Sequence, residues 1–218
     1  MTSDSKEFLK KILESIARLD YIKPEDLPNI DLYMDQVTTF MEEQLASTKR
    51  YPDDKILTKT MINNYAKNKL LPPPEKKRYS KEHLLMMLFI YYFKNILSIN
   101  DIKTLMGPIT EKYFNASPDK DLTYIYNEVF SMEKTRIVTL QKDLLRSWQI
   151  SEKTFDDADA QDQEFLHNFS FICQLSFDVY LKKMIIEQMI DEISPPAEEK
   201  KSKKEKPKKA SAKENGQS

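Results

Sequence analysis

Apolar residues recur at helical intervals along most of this chain, and polar or proline-rich breaks divide them into blocks. Phe8, Leu9, Ile12, Leu13, Ile16 and Leu19 share one face of a helix over residues 5–20. Pro24 and Pro28 break that pattern. A second helix starts near Asp31, with Leu32, Val37, Phe40, Met41 and Leu45 apolar, and Tyr51-Pro52-Asp53-Asp54 ends it. Thr58 is placed to cap a third helix running to about Lys69, its hydroxyl accepting from an unpaired first-turn amide. Pro72, Pro73 and Pro74 lack amide donors and stop it. Ser80 caps a fourth helix, to about Leu97. Ser98 caps a short fifth carrying Ile99, Ile102, Leu105 and Met106, which Gly107-Pro108 closes.

The remaining pattern predicts two long helices, over about 118–148 and about 160–193, joined by a linker over 151–159. Their aromatics, Tyr124, Phe130, Trp148, Phe165, Phe169, Phe177 and Tyr180, read as core. The fold class is therefore all-α, mainly helical, with a short wing. Residues 1–30 form an N-terminal helix and lead-in, and 31–107 a winged helix-turn-helix unit. Residues 108–194 form a helical region for dimerisation, with an effector pocket between its helices as the open alternative. Residues 195–218 are a Lys-rich tail. From 197 onward it has no large apolar residue, so burial cannot offset its ordering entropy and disorder is expected.

Composition agrees with this layout. Forty per cent of the 218 residues are apolar, enough for a core, yet only two are glycine. Tight strand hairpins favour glycine at positive φ, so a strand-rich fold is unfavourable. One cysteine, Cys173, permits no intrachain disulfide, and the charged N-terminus lacks a signal peptide's apolar stretch. The apolar run over 84–93 falls short of the ~20 residues a membrane span requires. A cytoplasmic protein away from the membrane is expected.

The net charge is −1, but it is unevenly distributed. Residues 55–83 carry eight Lys or Arg against two Glu, a balance of +6; residues 150–192 carry three Lys against ten Asp or Glu, a balance of −7. The acids over 156–164 lack the turn glycine and closing glutamate of a calcium loop and suit a helix N-terminus instead. His83, His167 and Cys173 form no catalytic grouping by spacing, and no phosphate-cradling glycine loop or nucleophile elbow is present. A non-enzyme needing no cofactor or metal is expected.

The basic segment carries the candidate chemistry. On the third helix Met61, Ile62, Tyr65 and Ala66 form the inward stripe. Lys59, Thr60, Asn63, Asn64 and Lys67 face outward. Asn pairs with adenine, Thr offers a hydroxyl or methyl, and Lys reaches guanine or phosphate, so this face suits a major groove. Lys76, Lys77, Arg78 and Tyr79 follow at a short turn, suited to gripping the sugar-phosphate backbone. The same residues also fit a solvated helix face and an ordinary surface turn.

Residues 58–106 resemble the MerR family of winged-helix transcription regulators. Leu70-Leu71-Pro72-Pro73 stands where that family enters its wing, and Arg78-Tyr79-Ser80-Lys81-Glu82 where the wing returns to the next helix. Ser98-Ile99-Asn100-Asp101-Ile102 stands at its short Ser-capped helix. The whole chain also resembles a bacterial family of uncharacterised MerR-related proteins sharing the core NNYAKNKLLPPP…YSKEHL. The resemblance implies a transcriptional regulator, repression being preferred, that binds double-stranded DNA as a homodimer. The alternative is a helical protein–protein adaptor that has lost DNA binding. The acidic C-terminal half favours it, as do Thr60 and Asn63 standing where that family carries arginine.

Overall fold

A helix that is apolar all round belongs at the centre of a fold, and one element here meets that description. In Lys81–Phe93 every residue from His83 to Tyr91 is buried. The computed structural model describes residues 3–17 and 21–193, so the Lys-rich tail over 195–218 lies outside the described residues. The described residues form eight α-helices and one two-stranded antiparallel sheet. In chain order these are α1 (Ser3–Ala17), β1 (Leu32–Tyr33), α2 (Met34–Gln44), α3 (Lys59–Lys67) and β2 (Arg78–Tyr79). After them come α4 (Lys81–Phe93), α5 (Ile99–Tyr113), α6 (Leu122–Phe130), α7 (Glu133–Ser151) and α8 (Ala160–Ile193).

The chain is thus mainly helical, with a minimal sheet and a separate helical C-terminal region. The expected caps form. Thr58 Oγ1 accepts from the Met61 amide at 3.2 Å. Ser98 and Asp101 exchange amide and side-chain hydrogen bonds at 3.1 Å each. Ser80 caps α4 with an unusual third-position partner, its amide donating to His83 Nδ1 at 3.1 Å.

Four boundaries differ from the sequence pattern. Leu32 and Tyr33 form β1 ahead of α2, pairing with Tyr79 and Arg78. α4 ends at Phe93, where a turn over 94–98 takes over. α5 runs through Gly107 and Pro108 to Tyr113 instead of stopping. Proline there removes only the hydrogen bond to the Thr104 carbonyl. Continuation brings Ile109 and Tyr113 against the core beside the buried Ile102 and Met106, and that burial offsets a cost of about 3 kcal/mol. The helix expected over 118–148 is a 3-10 turn followed by two helices, broken at Ser131-Met132. The break lets Glu133 accept from the Tyr21 amide at 3.1 Å.

Two clusters of buried residues divide the molecule. The larger surrounds α4 and draws on residues from Ile22 to Tyr126, with Ile190 of α8 added. The smaller joins α1, α7 and α8 through Leu9, Leu144, Trp148 and Phe171, with Trp148 edge-on to Phe171 at 5.1 Å. Trp148 is core as expected. Phe165, Phe169, Phe177, Tyr180 and Tyr124 are not: all five are exposed. Helical spacing reports that a face is apolar, not what covers it.

Candidate nucleic-acid interface

The α2–α3 pair carries the candidate site. The link between these helices, residues 45–58, contains a 3-10 turn and is longer than the three or four residues of a compact helix-turn-helix. Lys94 braces it, donating to the Ile56 carbonyl at 2.7 Å while lying over the Tyr91 ring at 4.7 Å. α3 then packs inward through Ile62 and Tyr65. Lys59, Thr60, Asn63, Asn64 and Lys67 are all exposed.

At its C-terminus α3 turns sharply. Lys69 takes a left-handed conformation (φ 59°), and the amides of Leu70 and Leu71 return to the Tyr65 carbonyl at 2.9 and 3.3 Å. Glycine usually fills that position. Leu70 and Leu71 are buried and anchor the exit. The proline run leads into a second tight turn, Glu75-Lys76-Lys77-Arg78. Lys76 and Lys77 have φ of 49° and 65°, and the Arg78 amide donates to the Glu75 carbonyl at 2.8 Å. Two consecutive positive-φ residues define a type I′ turn, whose usual occupants are Asn-Gly. Lysine in both places is strained, and both side chains are exposed.

β2 sorts the next two side chains by its period of two. Arg78 points outward. Its Nε and Nη2 donate to the Tyr33 hydroxyl at 3.3 and 3.2 Å, and its guanidinium lies over the Tyr33 ring at 5.2 Å. Tyr79 points inward. At 4% exposed and edge-on to His83 at 5.6 Å, it packs in the core, away from any approaching phosphate. Burial also pushes its phenol pKa up. His83 lies between Tyr79 and Phe114, edge-on to both rings, and its Nε2 is buried without a hydrogen-bond partner. Burial holds its pKa below the ordinary histidine value.

Two residues absent from the sequence reading tie these pieces together. Asp35 pairs with Lys59 at the start of α3, and Tyr33, two positions earlier, holds Arg78. The first turn of α3 and the lysine turn therefore emerge along one edge. Lys59, Lys67, Lys69, Lys76, Lys77 and Arg78 are exposed in these segments, with Asp31, Asp35 and Glu75 among the nearby acids. No local signal marks Tyr33 or Asp35, because their partners lie 45 and 24 residues further along.

The region is defined independently of that chemistry. Residues 22–129 match DUF1836, a helical domain of unknown function. No curated protein matches the chain, and no solved structure matches it. The DUF1836 span begins at the first residue of the larger buried cluster and ends inside α6, leaving α1, α7, α8 and the whole of the smaller cluster outside. Beyond it, Phe8 and Ile12 of α1 and Phe171, Ile172 and Leu175 of α8 line an open apolar groove of about 510 Å³. Among the described residues no group of His, Cys, Asp or Glu is arranged to hold a metal, and no helix is long and apolar enough to cross a membrane.

Proposed function

We propose that this chain is a DNA-binding transcription regulator of MerR-like design that acts as a homodimer. α3 would lie in the major groove and the 76–78 turn on flanking phosphates. One observation carries the reading: an exposed Lys-Thr-Asn helix face and a cationic turn both lie against the β1–α2 segment, where Tyr33 holds Arg78 and Asp35 meets Lys59. The element order β1–α2–α3–β2–α4–α5 accords with it. The turn adds support of another kind. Asparagine or glycine would relieve the backbone at 76 and 77, yet both positions hold lysine. Strain retained at exposed cations points to a use for the charge.

Base and backbone contacts separate by their response to salt. Fluorescence anisotropy with duplexes from the chain's own upstream region is the test. Binding should weaken steeply with salt, by about 0.9 in log–log slope for each phosphate neutralised. Lys77→Ala and Arg78→Ala should each lower the slope by about one and weaken all duplexes alike. Asn63→Ala should leave the slope unchanged and reduce discrimination between duplexes. Absence of binding at low salt, or binding indifferent to all three substitutions, would overturn the proposal.

A further inference from the structure

α2 and its lead-in oppose the cationic segment that follows them. Residues 24–48 hold six Asp or Glu and no Lys or Arg, whereas residues 55–83 carry the balance of +6. Asp35 meets Lys59 and Glu42 meets Lys49. Glu25, Asp26, Asp31 and Glu43 are exposed, and among the described residues none of them pairs with a cation. The outer side of α2 is grooved as well as acidic. Pro28, Leu32 and Phe40 give apolar surface to an open groove of about 350 Å³, and Asp35 and Glu43 stand along it. Two helical turns separate these carboxylates, about 12 Å along the axis. An apolar floor edged by carboxylates suits lysine, whose methylene stem packs on the floor while its ammonium stays in water beside the acids.

The chain supplies one segment of matching chemistry. Residues 200–209 hold seven Lys against Glu205, with no large apolar residue. In an extended chain alternate side chains share a face, so Lys200, Lys204, Lys206 and Lys208 would point one way. Lys204 and Lys208 would then stand about 13 Å apart, close to the separation of Asp35 and Glu43. The reach is sufficient. Ile186 and Ile190 fix the end of α8 in the same buried cluster as Leu32 and Met41. A body the size of residues 22–129 is roughly 35 Å across, so half its circumference is about 50 Å. The stretch from Ile193 to Lys208 spans up to about 50 Å.

The acids of α8 compete poorly for these lysines. Asp178 lines a cleft with Arg146 and Lys182, and Glu187 meets Lys183. Asp191 and Glu192 are adjacent and point about 100° apart on the helix. Asp156, Asp157, Asp159, Asp162 and Glu164 lie at the start of α8, where the helix dipole favours them, about 50 Å from its end.

We propose that the Lys-rich segment 200–209 docks in the outer groove of α2 of its own chain, its ammonium groups on Asp35 and Glu43. Docking screens the acids beside α3 and requires no DNA, so its failure is read separately from that of the proposed function.

Carbodiimide coupling of the full chain without DNA, read by peptide mass spectrometry, is the test. It joins an ammonium to a carboxylate only where the two are in contact. Lysines 200–209 should couple mainly to Asp35 and Glu43, at a yield that falls severalfold between about 0.02 M and about 0.3 M salt. A mixture of ¹⁵N-labelled and unlabelled chains should give no mixed-isotope product. Glu43→Lys alters an exposed side chain, so it should cut coupling at Asp35 about fivefold and leave circular dichroism unchanged. Adding Lys204→Glu and Lys208→Glu should restore a link between position 43 and the tail with the charges exchanged. Coupling spread over all exposed acids, those at 156–164 included, would overturn the proposal. So would indifference to Glu43→Lys, or failure of the exchanged charges to couple. Mixed-isotope product would give the groove to a second copy's tail and overturn docking within one chain. Lys77→Ala and Arg78→Ala, which test the DNA reading, should leave these yields unchanged.

Discussion

Replacing Lys76-Lys77 by Asn-Gly separates strain from charge at the turn. Both lysines are left-handed, with φ of 49° and 65°. A non-glycine residue there costs about 1–2 kcal/mol. Asparagine lowers that cost at 76, and glycine removes it at 77 while giving back about 0.5–1 kcal/mol in unfolded-chain entropy. The net gain should be about 1–2 kcal/mol, or roughly 3–6 °C in Tm for a chain of this size. Loss of two cations should meanwhile lower the salt slope of DNA binding by about 1.8. Lys76→Gln/Lys77→Gln is the partner experiment, because it removes the charges and keeps two side chains at positive φ. It should lose the same slope and gain no stability. Differential scanning calorimetry and anisotropy titrations read both quantities. Equal Tm gains in the two variants would show that charge repulsion, not backbone strain, was relieved. An unchanged Tm in the Asn-Gly variant would refute the strain argument outright.

Three further outcomes follow from the same geometry. Asp35→Asn frees Lys59 and removes a carboxylate from the interface edge, so DNA affinity should rise about two- to fivefold at low salt and converge with wild type at high salt. Thr58→Ala removes the side-chain acceptor for the Met61 amide and should cost about 1 kcal/mol in urea unfolding, with the cooperativity parameter unchanged. His83 is held neutral by burial, whereas the unfolded chain takes up its proton at the ordinary value near 6.5. Stability should therefore be level above that pH and fall as pH drops below it, a slope that His83→Gln should flatten between about pH 6.5 and pH 5.5.

Features set by neighbouring residues could be read from the chain, and features set by distant ones could not. Thr58, Ser80 and Ser98 cap their helices because a cap is satisfied within three residues. The outward set on α3 followed from periodicity alone. β1 has no local signal, because a two-residue strand has no pattern of its own and its partners, Arg78 and Tyr79, lie beyond α2 and α3. Tyr79 was read as a phosphate contact, and only its place in the sheet shows that it turns inward. Gly107-Pro108 looked like a stop because proline's local cost is evident from sequence, while the core that rewards Ile109 and Tyr113 is not. The exposed aromatics of α8 show the same limit, since burial belongs to whatever packs on a face.

The shortness of the sheet sets how firmly the cationic turn is held. Its ladder has two pairs, Leu32 with Tyr79 and Tyr33 with Arg78, and it closes the segment 34–77 that contains α2 and α3. A slip by one residue would exchange the faces of Arg78 and Tyr79, driving a guanidinium into the core and a phenol ring into water. That penalty makes the two-residue ladder a positional lock. The turn has one allowed alignment with α3, and any intermediate position leaves a charge without solvent. On the proposed reading a backbone grip at the turn must keep step with groove contacts from α3, and the spacing between the two is set by a single alternation of an arginine and a tyrosine.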